Sequence, residues 1–321
     1  MPWAGCAVNI RTVVLPILKA SGLHGPLKAL IITYQDWNSR IRVGLQNAID
    51  RRAASLRSSF EVRRNIPRRA AYVLRYYRRR IEPAWCWLFT SRELANFTYD
   101  LSDRGKLHTA HAVATATSCT PEQALDWIGE LVGDEQLRTA IVNSVRDSSQ
   151  RYVTDARAEY GRRVGWYAIV RAVKPALVIE TGVDKGLGSM VLCAALQRNA
   201  VEGFPGRYIG TDINPSAGEL LQGPYANFGE VRHGDSIASL MAIEQPVDVF
   251  INDSDHSAEY ERHEYEVMQS KLSPRAILIG DNSHVTDELA YFASRTGRKF
   301  IAVRELPKDH WYLGATTGIA F

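Results

Sequence analysis

Short apolar runs alternate with longer polar segments in the second half of the chain. Seven runs that close on a glycine or a polar turn predict β-strands: Ala176–Glu180, Arg207–Asp212, Glu230–Arg232, Val247–Asn252, Arg275–Gly280, Lys299–Arg304 and Trp311–Ile319. Segments of helical character lie between the first five, among them Ser189–Arg198, Ser216–Leu221, Ile237–Ile243 and Ala258–Leu272. Strands that alternate with helices form a parallel sheet with helices on both faces. Only six residues, 305–310, join the last two runs, so the chain predicts an α/β fold whose doubly wound sheet is mostly parallel, with a C-terminal antiparallel hairpin.

The first half of the chain lacks strand alternation and predicts helices. Residues 1–90 form a basic helical region in which Pro67 and Pro83 are expected to break helices. Residues 91–160 predict a helical annex or lid, in which Thr120 is an N-cap followed by a proline at the first helical position. The predicted organisation is therefore three parts, at 1–90, 91–160 and 161–321.

Composition is ordinary for a globular protein, with 45% hydrophobic and 23% charged residues in a chain of 321. These values exclude a disordered, collagen-like or coiled-coil protein. No uncharged apolar run reaches the ~18 residues that span a bilayer, and the first residues do not resemble a signal peptide. The four cysteines, Cys6, Cys86, Cys119 and Cys193, have no CxxC spacing, which favours a reducing cytoplasm over a disulfide framework or a zinc ribbon.

The net charge of +4 is unevenly distributed. Residues 1–90 hold 16 basic and 4 acidic side chains, whereas the remaining residues hold 23 basic and 31 acidic ones. Tyr72, Tyr76 and Tyr77 are interleaved with the arginines of the basic part. Two interpretations stay open: a solvated cationic helix face, or a surface for an anionic membrane, an acidic partner or nucleic acid.

A glycine-rich turn follows the first predicted strand. The spacing G-x-x-x-G-x-G starts at Gly182 and includes Gly186 and Gly188. Glycines let the backbone turn sharply and approach a ligand at the start of a helix. The spacing differs from the dinucleotide G-x-G-x-x-G because Asp184 occupies the place of the second glycine. A tight turn without a ligand is the alternative.

The next two predicted strands also end in acidic turns. Asp212 closes the second strand, where a carboxylate is placed to accept hydrogen bonds from ribose hydroxyls, although it is equally suited to cap a helix. Gly234-Asp235-Ser236 follows the third strand, where an acid would meet the edge of an adenine ring.

The three turns taken together resemble the cofactor-binding motifs of a known enzyme family. Glu180-x-Gly182-x-x-x-Gly186, followed by Asp212 and Gly234-Asp235, resembles the cofactor half of the class I S-adenosylmethionine-dependent methyltransferases over roughly residues 160–321. The resemblance implies a Rossmann-like fold and S-adenosylmethionine as cofactor. It also implies a set of cofactor-binding residues, namely Glu180, Thr181, Gly182, Gly186, Asp212, Ile213, Gly234, Asp235 and Ser236.

The fourth and fifth predicted strands end in polar clusters. Asp253, Asp255 and His256 follow the fourth, and Asp281 and Asn282 follow the fifth. Carboxyl ends of parallel strands meet in one crevice, and carboxylate and amide oxygens suit Mg²⁺. The alternatives are that the acids cap the helix beginning near position 257 and that the histidine is structural. The helix itself is acidic at Glu259, Glu261, Glu264 and Glu266, which predicts a solvated face.

These clusters sharpen the resemblance. Asp253 with Asp281-Asn282 resembles the metal site of the catechol-type O-methyltransferases, and Asp253-x-Asp255-His256 resembles the DxDH motif of the sugar and macrolide O-methyltransferases and the cephalosporin-hydroxylase-like group. The resemblance implies Asp253, Asp281 and Asn282 as ligands of Mg²⁺ or a similar divalent cation. It implies Asp253 and His256 as catalytic residues, with His256 as the general base. Asn252 is one extra polar residue before the motif and leaves the register of the metal site open by one position.

The expected function is a Mg²⁺-assisted O-methyltransferase that acts on a hydroxyl of a small molecule such as a sugar, glycolipid or polyketide. A hydroxylase-like member of the same fold, or an RNA- or membrane-associated methyltransferase that uses residues 1–90, remains an alternative. Nucleic acid is disfavoured because residues 252–256 are acidic, and acids repel a phosphate backbone. The expected location is the cytoplasm, and peripheral association with a membrane and a homo-oligomer stay open.

Overall fold

A computed structural model describes residues 43–49 and 64–321 of the protein. The chain divides into two compact units, Met1–Tyr77 and Arg78–Phe321. A helical stretch at 43–49 (α1) and a long helix at Ile66–Thr90 (α2) are the first described elements. The helices expected in 1–42 and 50–63 lie outside the described residues. The boundaries predicted at residues 90 and 160 stay predictions.

Helix α2 corrects one expectation from the sequence. Pro67 lies in its first turn, where a missing N–H costs nothing, but Pro83 lies inside the helix and does not end it. The helical apolar spacing continues across Pro83 from Ile81 to Trp85 and Leu88, so the same face persists although one backbone hydrogen bond is lost. Among the described residues, no helix is long and apolar enough to cross a membrane.

Three capped helices follow, α3 (Asp103–Thr117), α4 (Pro121–Val132) and α5 (Glu135–Asp147). The predicted start of α4 is confirmed, because Thr120 and Gln123 form a reciprocal capping box. The buried faces of these helices join the α/β part in one hydrophobic core, in which Val113, Leu131 and Ile141 pack with residues of α6 (Arg163–Val173).

The α/β part is built on a seven-stranded sheet of order β3-β2-β1-β4-β5-β7-β6. Its strands are β1 (Leu177–Thr181), β2 (Arg207–Asp212), β3 (Gly229–His233), β4 (Val247–Asn252), β5 (Leu272–Gly280), β6 (Phe300–Arg304) and β7 (Thr316–Ala320). The first five are parallel, and β7 is antiparallel to both β5 and β6. The predicted fold class and its antiparallel end are confirmed.

Four helices accompany the sheet: α7 (Leu187–Val201), α8 (Ser236–Met241), α9 (Ala258–Gln269) and α10 (Glu288–Thr296). The helix expected at Ser216–Leu221 is wrong. That stretch is a series of turns because Gly218 has φ +80°, and a 3₁₀ helix at Gly223–Phe228 follows it. The last strand is also shorter than expected, since residues 311–315 are loop and Gly314 has φ +79°.

The strand order places the ends of the central strands at one crevice. The order reverses between β1 and β4, which is where open α/β sheets bind ligands. Thr181 pairs with Thr211 on one side and with Asn252 on the other, and Asn252 pairs with Gly280. The next residue along each strand therefore emerges at the same edge.

Candidate active site

A cavity of about 600 Å³ opens at the carboxyl edge of the sheet. Six of the predicted cofactor residues line it: Gly182, Asp212, Ile213, Gly234, Asp235 and Ser236. Three do not, namely Glu180, Thr181 and Gly186. Asp253, His256 and Asn282 line the same cavity, so the predicted cofactor turns and most of the predicted catalytic cluster share one space.

The glycine turn brings two strand ends into contact. Gly182 has φ +82°, and a Cβ at this position would lie 1.9 Å from the carbonyl oxygen of Asp253. Gly186 has φ +100°, and its Cβ would lie 2.9 Å from Cα of Gly218. Both positions therefore need glycine for two reasons, the left-handed backbone and the lack of space. The turn after β1 can lie directly against the turn after β4 only because Gly182 has no side chain.

Asp212 shapes the turn after β2 through its carboxylate. One oxygen accepts the backbone N–H of Asp184 at 2.8 Å, and the other accepts that of Asn214 at 2.8 Å. Each carboxylate oxygen can accept a second hydrogen bond. The side chain of Ile213 beside it is 80% exposed in the cavity wall.

The turn after β3 is tied to helix α9. Asp235 is the N-cap of α8 and accepts the N–H of Ala238 at 3.0 Å, and the hydroxyl of Tyr260 donates to its second oxygen at 3.2 Å. The hydroxyls of Ser236 and Tyr260 are 2.8 Å apart. Tyr260 lines the cavity but was missed by sequence reasoning, because nothing in its local pattern separates it from an ordinary helical tyrosine.

Glu180 lies beneath the glycine turn, in the interior. The hydroxyl of Tyr208 donates to its carboxylate, and a Cβ at Gly188 would lie 2.4 Å from Oε1 of Glu180. The third glycine of the motif therefore makes room for this buried acid. Burial raises the pKa of Glu180 to about 7. Its predicted role in cofactor binding stays a prediction.

The expected solvated face of helix α9 is wrong at two of its four acids. Glu259 and Glu266 are exposed, but Glu261 and Glu264 are buried, because residues three apart share the inner face of the helix with Tyr265.

Glu264 joins the ends of three strands, β1, β3 and β4, at the crevice. It accepts hydrogen bonds from the side chains of Thr181 at 3.1 Å and Ser254 at 2.9 Å, and also from Ser236 and Asn252. Burial raises the pKa of Glu264 to about 7.

Asp253, His256 and Asp281 form an acidic triad whose ligand atoms lie within 4.8 Å of one another. Nε2 of His256 is 3.7 Å from Oδ1 of Asp253. The amide of Asn282 donates to Oδ2 of Asp281 at 2.9 Å and lies 3.0 Å from Nε2 of His256. Burial, with Asp281 beside it, raises the pKa of Asp253 well above its usual range. The fold thus brings together every residue predicted for catalysis and metal binding.

Arg162 bridges the two carboxylates of the triad and has no sequence motif of its own. Its Nη2 lies 3.0 Å from Oδ2 of Asp253, and its Nε lies 2.5 Å from Oδ1 of Asp281. These are the two oxygens that His256 and Asn282 do not contact. The guanidinium supplies one positive charge to a buried pair of acids, which would otherwise repel each other.

His256 is oriented by a buried acid. Its Nδ1 lies 3.2 Å from Oε1 of Glu261. The other carboxylate oxygen of Glu261 accepts a hydrogen bond from the hydroxyl of Thr286. The hydrogen bond to Glu261 raises the pKa of His256. Nδ1 is thereby occupied, and Nε2 is left on the side of Asp253. Asp255 instead accepts the backbone N–H of Ser257 at 2.8 Å in the turn before α9. Ser257 is the N-cap of that helix and no side chain caps it, so the alternative that Asp255 caps the helix is wrong.

The residues of the triad fit a divalent cation. Two carboxylates, one of them with a fully buried side chain, lie beside an imidazole and an amide, which is a donor set that Mg²⁺ or Mn²⁺ accepts. Oδ1 of the neighbouring Asn252 is buried without a hydrogen-bond partner. Asn252 itself is held by Glu264 rather than by the triad, so the register of the triad begins at Asp253.

Residues 179–283 match the family model described as a methyltransferase domain. Among solved structures, the O-methyltransferase TomG from Streptomyces achromogenes, in complex with SAM, is 14% identical, covers 59% of this chain and 89% of its own, and has a TM-score of 0.45. An O-methyltransferase from Bacillus cereus, in complex with SAH, is 17% identical, covers 58% and 90%, and has a TM-score of 0.43. Curated proteins gave no match.

The sheet order and the glycine turn over the cavity are those of a Rossmann-like methyltransferase fold. Residues 179–283 of the chain match a methyltransferase domain. The matched residues run from β1 to the turn after β5, which is the stretch that contains the glycine turn and the triad.

Proposed function

We propose that the protein is an O-methyltransferase that transfers the methyl group of S-adenosylmethionine to a hydroxyl of a small molecule. The observation that carries the proposal is the triad of Asp253, His256 and Asp281, in which Asp253 and His256 line the cavity that also contains the predicted cofactor turns. A hydroxyl is a weak nucleophile at neutral pH and must lose its proton as it attacks the sulfonium methyl. A base beside the cofactor would take this proton, and a cation site would hold the acceptor oxygen in place.

His256 is the proposed general base. Its Nδ1 faces Glu261, so a proton taken up at Nε2 creates an imidazolium that the buried carboxylate stabilises. A base of this kind contributes about 10²–10⁴-fold to the rate. The methyl-transfer chemistry itself belongs to the cofactor.

Asp253 and Asp281 are the proposed metal ligands, with the carbonyl oxygen of Asn282 as the third after rotation of its amide. A divalent cation at this site would polarise the acceptor oxygen and stabilise its negative charge. The protein's own contribution is to fix both carboxylates, since Arg162 contacts one oxygen of each.

The cofactor is proposed to lie along the turns after β1, β2 and β3. Asp212 would accept hydrogen bonds from the ribose, and Asp235 with Ser236 would contact the adenine edge. Gly182 would let the methionine part approach the backbone. Because Gly182 has no side chain, the turn after β1 lies directly against the turn after β4.

The test uses the full chain with radiolabelled S-adenosylmethionine and a panel of hydroxylated small molecules, and product mass is the readout. The gain of one methyl supports the proposal, whereas the gain of one oxygen identifies the hydroxylase-like alternative. His256→Asn is expected to lower kcat by about 10²–10⁴-fold and to leave cofactor affinity unchanged. The matched control is His263→Asn, at an exposed position on α9, the helix that follows His256. An equal loss in both variants would contradict the assignment of the base.

A further inference from the structure

Helix α2 presents an apolar face that is not buried against the described residues. Its apolar side chains are between 50% and 68% exposed, namely Ile66, Val73, Leu74, Tyr77, Ile81, Trp85 and Leu88. They recur at spacings of three, four and seven residues, so they lie on one side of the helix. A helix with an apolar side normally buries it, and an exposed apolar surface of this length marks a site of interaction.

The rest of the helix is strongly basic. Six arginines stand against a single acid, Glu82, within Ile66–Thr90. Arg68 and Arg75 are exposed, and their spacing of seven residues places them together on the side opposite the apolar face. Arg78, also exposed, borders the apolar face beside Trp85. The helix therefore has one apolar and one cationic side.

We propose that α2 lies in the interface of an anionic lipid bilayer, with its apolar face toward the acyl chains and its arginines among the headgroups. Amphipathic helices with basic polar faces bind membranes in this orientation. The end of the helix is aromatic, since Trp85 and Phe89 stack at 5.7 Å and Phe89 is 78% exposed. Aromatic side chains of this kind favour the depth of the headgroups.

The charge of helix α2 favours an anionic bilayer over two other partners, a second copy of the helix and a nucleic acid. A second copy of α2 on the same face would bring two sets of arginines together with almost no acid to offset them. A nucleic acid would neutralise the arginines but would leave the apolar side chains in water. A bilayer that contains anionic lipid satisfies both sides at once.

The test is flotation of the full chain with vesicles of phosphatidylcholine, alone or mixed with phosphatidylserine. We expect flotation with the mixed vesicles only, and a decrease as NaCl is added. Arg68, Arg75 and Arg78 changed together to Gln should lower the partition coefficient about 100-fold, at ~1 kcal/mol per arginine. Trp85→Glu with Leu88→Glu should lower it by at least about 10-fold.

The control is Val201→Glu, a residue that is 85% exposed on another helix and should float like the wild type. Circular dichroism checks that each variant keeps its helix content. Absence of flotation, equal flotation with neutral vesicles, or flotation unchanged in both sets of variants would overturn the proposal. So would a dimer in light scattering that the Trp85 and Leu88 changes abolish, because it would identify a second copy as the occupant.

Discussion

Arg162 holds Asp253 and Asp281 by one oxygen each, at 3.0 and 2.5 Å, and leaves their other oxygens on the side of His256 and Asn282. The side chains of both acids are nearly or fully buried, so their orientation depends on this guanidinium. The arrangement makes Arg162 a positioning residue for the triad. Residues that orient metal ligands in this way commonly contribute 10–100-fold to affinity or activity, in rough terms.

Arg162→Gln should therefore weaken Mn²⁺ binding by about 10–100-fold, measured by titration calorimetry on the metal-free protein. Arg162→Lys keeps the charge but cannot bridge two carboxylates, so it should recover only part of the affinity. The control is Arg163→Gln. Arg163 also lines the cavity, but among the described contacts it forms no ion pair with the triad. Tighter binding in Arg162→Gln would show that the guanidinium competes with the cation.

Gly182→Ala should abolish detectable binding of S-adenosylmethionine in calorimetry. The new Cβ would lie 1.9 Å from the carbonyl oxygen of Asp253, so the turns after β1 and β4 would have to separate. The control is Gly203→Ala, which has a similar φ of +90° but nothing within 4 Å of its Cβ. The control bears only the conformational cost of about 1–2 kcal/mol. Equal losses of stability, with cofactor binding retained, would contradict the steric argument.

Glu264 should make the stability of the protein depend on pH. Its folded-state pKa is raised from 4.5 to about 7, so this acid keeps its proton in the folded chain at pH values where the unfolded chain has lost it. The contribution of Glu264 to the free energy of unfolding is fully present below pH 4.5. It is lost as the pH rises to 7, by up to about 3 kcal/mol.

Denaturant unfolding between pH 4 and about 8 checks this prediction. The free energy of unfolding of the wild type should fall relative to that of Glu264→Gln as the pH rises. Glu266→Gln, at an exposed site on the same helix, should follow the wild type at every pH. A difference between wild type and Glu264→Gln that is constant with pH would contradict the prediction.

Glu261→Gln should shift the pH dependence of catalysis. The carboxylate raises the pKa of His256 through a hydrogen bond, so its loss should lower that pKa and move the acidic limb of the kcat/KM profile to lower pH. The maximal rate should fall by about 10-fold, because the imidazole loses its orienting partner. Glu259→Gln, exposed in the first turn of α9, is the control. A lower rate with an unshifted profile would mean that Glu261 acts only in folding.

Local sequence patterns were sufficient to predict the strands and turns that surround the active site. The alternation of strands and helices gave the sheet, and Gly182 and Asp253 stand where those patterns put them. The predicted cluster of Asp253, His256 and Asp281 is confirmed as a spatial group because parallel strands end at one edge. Local patterns were wrong at Glu264, because an acid on a helix is predicted to face solvent unless the side chains that bury it are known.

The sequence by itself determined the order of the elements, the glycine turns and the acidic strand ends, since each depends on residues a few positions apart. The tertiary structure decided which charges are buried and what neutralises them. Arg162 and Asp253 are 91 positions apart, so no local spacing relates them. Periodicity reports the face on which a residue lies, whereas burial and pairing depend on the element that packs against that face. The same holds for the exposed apolar side of α2. Its apolar spacing is visible in the local sequence, but the surface that covers it is not.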